Sequence, residues 1–244
     1  MNHHLDFDIT VDVLSCSAGR ALGSIINKFR YLNNMGFNTY TKLVNSSVCP
    51  IIDYCSAVWG TKQFKVADKV LQRATRFFLG IGRFSALPAI EGDMGWVPNQ
   101  VRWKVNILRF WNRLMSLPNS RITKKAFIMD KNSLKYWYAN VVDILRSVDM
   151  EYIFHQETQC NLDILAEKLM YNVNTVWKNE SLGKPKLRTY NLYKHNFGTE
   201  KYILLNLDRD ERSYLAQLRC GNLPLRIETG RYSNERIDEC VCLL

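Results

Sequence analysis

Residues 62–83 read KQFKVADKVLQRATRFFLGIGR, and their spacing decides the class of fold. At about 100° per residue, Val66, Val70, Ala74, Phe77 and Ile81 fall on one face of a helix over about 64–79. Lys62, Lys65, Lys69, Arg73, Arg76 and Arg83 fall in an adjoining arc of roughly 80°. One side of this helix is built to pack and its neighbour is a cationic ridge. Ridge side chains three or four residues apart stand about 5–6 Å from one another, comparable to successive phosphates on a strand.

Outward from this stretch the periodicity stays helical. Downstream, Pro98 suits a first turn, Val101, Val105, Leu108, Trp111 and Met115 supply an apolar face, and Pro118 stops the helix. Arg102, Arg109 and Arg113 share a second face, so two basic helices flanking a short turn at 92–95 are expected to form a groove wall. Upstream, a helix over 11–31, with Asp8 or Thr10 as its cap, carries Val13, Leu14, Ala18, Leu22, Ile25 and Phe29. Gly19 and Gly23 on it are read as permitting close helix packing. A helix over 38–49 follows, Pro50 breaks it, and 50–59 reads as a central buried segment. Further helices are expected over 134–148 and 162–177, with a break at Gly183 and Pro185. Asp208 and Glu211 stand at capping-box spacing, which starts a helix with Tyr214, Leu215 and Leu218 inward, Arg212 and Arg219 outward, and Gly221 as its stop. The fold class is therefore mainly α. A soft boundary near 121–133 divides the chain into 1–121, 122–206 and 207–244.

The chain has 244 residues and a formal charge of +10, with 47% apolar positions, which suits a globular core. Between Lys62 and Arg121 stand 11 basic residues against 3 acidic ones, and beyond that the charge nearly balances. Such a concentration points to a polyanionic partner, most simply nucleic acid; solvated Lys and Arg on helix surfaces are the alternative. The 7 cysteines are an odd number, mostly far apart, and read as reduced thiols of an intracellular protein, nuclear or cytoplasmic. No run of about 18 apolar residues stands out, and residues 1–12 carry His3, His4, Asp6, Asp8 and Asp12, so neither a membrane span nor a secretory signal is expected.

Catalytic chemistry finds little footing. Two-metal nucleotidyl transfer needs converging carboxylates. The sequence has no adjacent aspartate pair, and its two Asp-x-Asp spacings, Asp6 with Asp8 and Asp208 with Asp210, sit where caps or solvated acids belong. None of the 4 histidines follows a nucleophile motif, and the glycine pairs lack the Lys-Ser or Lys-Thr of a phosphate loop. Cys240 and Cys242 look like the opening of a zinc knuckle, with too few donors after them to complete a tetrahedral site. No catalytic residue, metal or cofactor is assigned.

Leu5-Asp6-Phe7, Ser17-Ala18-Gly19-Arg20-Ala21-Leu22-Gly23, Tyr54-Cys55-Ser56-Ala57-Val58-Trp59-Gly60, Arg76-Phe77-Phe78-Leu79-Gly80, Gly92-Asp93-Met94-Gly95-Trp96 and Trp111-Asn112-Arg113-Leu114 occur in that order. Glu211-Arg212-Ser213, Leu218-Arg219-Cys220-Gly221-Asn222-Leu223-Pro224-Leu225 and Glu228-Thr229-Gly230-Arg231-Tyr232 follow. Together, across roughly 220 residues, these words resemble the region after the palm in reverse transcriptases of non-LTR retrotransposons (LINE-class, jockey- or RTE-like). The resemblance implies a thumb-like helical bundle, a helical connecting segment and the approach to a C-terminal Cys/His finger. It further implies a piece of a longer polyprotein without the palm and its aromatic-Ala-Asp-Asp motif, not an enzyme by itself, that grips RNA or an RNA/DNA duplex through phosphates. A helical interaction module docking a protein through Tyr136, Trp137, Tyr138 and Trp177, and a decayed element with no selected role, are the alternatives.

Overall fold

The structure, a computed structural model, describes residues 7–133 and 137–223. These are helical, with no strand among them. In chain order the α-helices are α1 (Asp8–Tyr31), α2 (Phe37–Ser47), α3 (Cys49–Ile52), α4 (Ser56–Trp59), α5 (Lys65–Leu79), α6 (Leu87–Met94) and α7 (Asn99–Ser116). Then come α8 (Ile122–Ser133), α9 (Trp137–Arg146), α10 (Glu151–His155), α11 (Leu162–Leu182), α12 (Arg188–Tyr193), α13 (Lys201–Leu204) and α14 (Arg209–Arg219). The expectation of a mainly α chain holds.

Two compact units form, and each is assembled from interleaved stretches of the chain. The first takes residues up to 25, 42–71 and 97–174; the second takes 26–41, 72–96 and 175 onward. Residues 121–133, where the charge balance changes, are Arg121 and the whole of α8, inside the first unit. Charge balance reports the surface, whereas units form wherever apolar faces meet.

In the first unit, Val101, Ile107, Leu108, Trp111 and Leu114 of α7 pack with Phe127 of α8, Tyr138, Val141 and Leu145 of α9, Ile153 of α10 and Leu165 and Leu169 of α11. The rings of Trp59 and Trp103 meet edge to face at 5.0 Å, and Gly60 lies so close to Trp103 that a Cβ would stand 2.7 Å from it. Trp111 Nε1 donates to the Thr158 carbonyl at 3.0 Å, so the ring is buried without stranding its polar atom.

The second unit is organised by aromatics and a buried acid. Phe29, Tyr40 and Phe78 are fully enclosed, with Tyr40 and Phe78 stacked at 5.0 Å and the Tyr40 hydroxyl donating to the Ala74 carbonyl at 3.0 Å. The carboxylate of Asp93, 1% exposed, accepts from Arg219 Nε at 2.8 Å and Nη2 at 2.9 Å. It also accepts from the hydroxyls of Tyr190 and Tyr202, each at 3.0 Å, so four donors compensate its lost hydration. Both tyrosine rings flank the Arg219 guanidinium at 5.5 Å. Beside it, Gly92 leaves room for the Trp177 ring, 2.6 Å from where a Cβ would stand, and Trp177 Nε1 donates to the Pro88 carbonyl at 2.6 Å.

Several expectations change here. Residues 92–95 are no turn: Gly92 and Asp93 lie inside α6, and only Gly95, in the left-handed region at φ 64°, terminates it. In α14 the capping box forms as expected, Asp208 accepting from the Glu211 amide at 2.8 Å and Glu211 accepting from the Asp208 amide at 3.0 Å. Its faces are inverted, however. Arg212 is 2% exposed and donates to the Phe78 carbonyl at 2.9 Å while its guanidinium covers the Phe78 ring at 4.1 Å. Tyr214, Leu215 and Leu218 point to solvent. Hydropathy ranks a leucine above an arginine, but the acceptors and rings of this unit are built for guanidinium groups.

Further corrections are local. The segment 50–59 is not wholly buried: Ile52, Ser56 and Trp59 are inward, while Pro50, Tyr54, Cys55 and Val58 are exposed, because Cys55 at φ 55° turns the chain between α3 and α4. A Cβ at Gly19 or Gly23 would meet nothing within 4 Å, so these glycines serve no close packing. Asp8 begins α1 and Thr10 lies within it, so neither stands at the expected later start. By length and composition alone α1 is apolar enough to cross a membrane. Its buried residues Val11, Ser15, Ala18, Leu22, Ile25, Ile26 and Phe29 nevertheless recur on one side, as in a helix packed within protein. Tyr136, Cys240, Cys242 and the rest of the tail lie outside the described residues.

Two outcomes are expected. Asp93→Ala, which leaves Arg219 only its longer pair with Glu200 at 3.4 Å and takes the acceptor from two tyrosine hydroxyls, should destabilise the chain by about 3–5 kcal/mol in urea unfolding followed by circular dichroism; a loss under about 1 kcal/mol would show the pair to be dispensable. Burial, aided by Asp93, pushes the Cys220 thiol up to about 12, and burial alone pushes Cys160 up to about 11. At pH 8 iodoacetamide should therefore modify exposed Cys16 and Cys55 at least about ten-fold faster than Cys160 and Cys220, read peptide by peptide by mass spectrometry. In the unfolded chain these thiols ionise near about 8.5, so above that pH the native state holds more protons and stability falls.

Candidate nucleic-acid interface

A cation can serve a phosphate only if the fold does not already use it, so the sequence-nominated residues divide by partner. On α5, Lys65, Lys69 and Arg73 are exposed and four residues apart, one helical turn between neighbours, a rise of about 6 Å each. Asp68, the nearest acid in sequence, is occupied: Gln63 Nε2 donates to its Oδ2 at 3.1 Å and Asn99 Nδ2 to its Oδ1 at 2.9 Å. Among the described residues no carboxylate lies within ion-pair distance of these three cations.

The buried side of α5 differs slightly from the expected one. Ala67, Val70, Ala74 and Phe78 are buried, Phe77 is half-buried, and Val66 is 41% exposed. The apolar face is thus turned by about one residue: Phe77 and Phe78 both meet the Phe29 ring, but Phe78 is the one fully enclosed.

On α7, Arg109 and Arg113 are exposed, with Arg109 Nη1 donating to Asn106 Oδ1 of the preceding turn at 2.5 Å. Arg102 is no part of that free row. Its Nε and Nη2 donate to Asp53 at 2.9 and 3.2 Å, Nη2 also to Asn99 Oδ1 at 2.6 Å, and Nη1 to the Val97 carbonyl at 3.0 Å. Trp103 Nε1 donates to the same carboxylate at 2.9 Å, which makes Asp53 the clamp between α3 and the first turns of α7. Helix periodicity placed Arg102 correctly on the helix but could not reveal the acid 49 residues upstream.

The remaining nominees are intermediate cases. Lys62 pairs with Asp8 at 2.7 Å, an exposed pair that a phosphate can displace at little cost. Arg76 is half-buried, with its Nε enclosed and without a hydrogen-bond partner among the described residues. Arg83 is exposed and lies over the Phe84 ring at 4.7 Å. In sequence, the signal for this exposed pair is an aromatic beside an arginine directly after Gly82.

The aromatics nominated for protein docking are structural where described: Tyr138 and Trp177 are buried, and Trp137 Nε1 donates to the Ala57 carbonyl at 2.7 Å. No group of three or more His, Cys, Asp or Glu side chains suited to a metal occurs among the described residues. No family model, no curated protein and no solved structure matches the chain.

The division of labour is testable. Arg102→Ala leaves Asp53 half-buried without its guanidinium and should cost about 2–4 kcal/mol in thermal or urea unfolding, while Arg113→Ala should change stability by less than about 0.5 kcal/mol. Equal losses in the two variants would contradict the assignment.

Proposed function

We propose that this chain is a helical segment related to non-LTR retrotransposon reverse transcriptases that holds nucleic acid, RNA or an RNA/DNA duplex, by its sugar-phosphate backbone and performs no chemistry itself. The observation that carries the binding reading is the row of Lys65, Lys69 and Arg73: exposed, in register along one continuous helix and, among the described residues, without acidic partners. Exposed ammonium and guanidinium tips at this spacing neutralise phosphates and release counterions, and they read no bases.

The family relationship rests on the order of the sequence words. Several of them join in the fold within the second unit, which gives a physical reason for their occurring as a set. Arg219 and Asp93 pair, as do Arg212 and the Phe78 carbonyl, and Ser213 Oγ and the Gly80 carbonyl at 2.7 Å. These contacts say nothing of nucleic acid. A helical module that docks protein is the second reading, favoured by the outward Tyr214 and Leu218 of α14.

If Lys65, Lys69, Arg73, Arg109 and Arg113 engage a duplex, log affinity should fall against log salt with a slope of about −4 to −5. Lys69→Glu with Arg73→Glu should flatten that slope by about 2 and weaken binding at low salt, measured by fluorescence anisotropy. An unaltered slope would reject the site; a stable assembly by light scattering without nucleic acid, and no RNA binding, would favour the docking reading.

A further inference from the structure

The chain leaving α5 carries a feature that phosphate binding does not require. The helix ends in a Schellman motif, the Ile81 amide donating to the Arg76 carbonyl at 3.1 Å and the Gly80 amide to the Phe77 carbonyl at 3.3 Å, with Gly80 at φ 65°. The Ser85 amide then donates to the Gly82 carbonyl at 3.3 Å, closing a four-residue turn whose middle residues are Arg83 and Phe84.

Both flanks of this turn are anchored. Ile81 and Ser85 are buried at 7% and 4% exposure, Ser213 Oγ donates to the Gly80 carbonyl, and Asn222 donates to Ser85 Oγ while itself accepting from Lys186. Between these fixed points Phe84 is 80% exposed, with the Arg83 guanidinium over its ring at 4.7 Å. The fold thus holds out an anchored aromatic face with a cation stacked on it, eleven residues beyond exposed Arg73 of the same unit.

We propose that the Arg83–Phe84 turn is a base-stacking platform for single-stranded nucleic acid, resting on the nucleic-acid reading above and adding a ligand form to it. A duplex keeps its bases stacked on one another and offers this ring nothing, whereas an unpaired base presents a π face to it. Stacking of this kind is tolerant of sequence, and an adjacent arginine both strengthens it and reaches the neighbouring phosphate.

The test is fluorescence anisotropy of the full chain with a labelled 12-nucleotide oligouridine, an abasic oligomer of the same length and an RNA/DNA duplex, at fixed low salt. Phe84→Ala should weaken oligouridine binding about five-fold or more, leave abasic and duplex binding within about two-fold, and be rescued by Phe84→Tyr. Lys69→Glu with Arg73→Glu should weaken all three ligands. Unchanged oligouridine binding by Phe84→Ala, with the glutamate variant impaired, overturns the platform and leaves the backbone reading standing. An unmodified chain that binds none of the ligands overturns both. A Phe84→Ala variant that loses self-association while keeping its RNA affinity assigns the ring to a protein contact and likewise overturns the platform.

Discussion

A carboxylate taken wholly out of water must be repaid by donors, and that constraint organises the second unit. Asp93 sits inside α6 with four donors upon it, two from Arg219 and one each from Tyr190 and Tyr202. Those donors come from α12, α13 and α14, so the acid cannot be satisfied until the helices that follow residue 185 are in place. The same need explains neighbouring features: the tyrosine hydroxyls are pushed up by burial and by Asp93, and the Arg219 guanidinium is held charged between two rings.

The first unit repeats the device with other residues. Asp53 takes Arg102 and the indole of Trp103, and the edge-to-face Trp59 and Trp103 rings lie beside that clamp. In both units an acid and an arginine distant in sequence specify which helices meet, whereas apolar burial supplies most of the driving force but little of the choice. The arginines therefore split into two populations. Arg102, Arg212 and Arg219 are consumed by the fold, and Arg73, Arg109 and Arg113 remain at the surface.

That split is what gives the basic helix α5 its functional meaning. A net charge of +10 is a weak argument while any cation counted in it can be internal. It becomes a stronger one when the residues in register on one helix have no acidic partner among the described residues, and when the helix leads directly into an anchored turn that exposes an aromatic ring.

Helix class, most element positions and the α14 capping box were legible in the sequence, because periodicity, Pro98 and the Asp208–Glu211 spacing act within a turn or two of themselves. Register along α5 was legible for the same reason, so Lys65, Lys69 and Arg73 were found together. What only tertiary structure decided was which face of a helix turns inward and which cation is spent. Arg212 displaced Leu215 and Leu218 from the interior of α14, and Arg102 left the basic row of α7, because their partners, Phe78 and Asp53, stand 134 and 49 residues away. Local spacing carries the energetics of one helix; the partner of a buried charge is a property of the assembled unit.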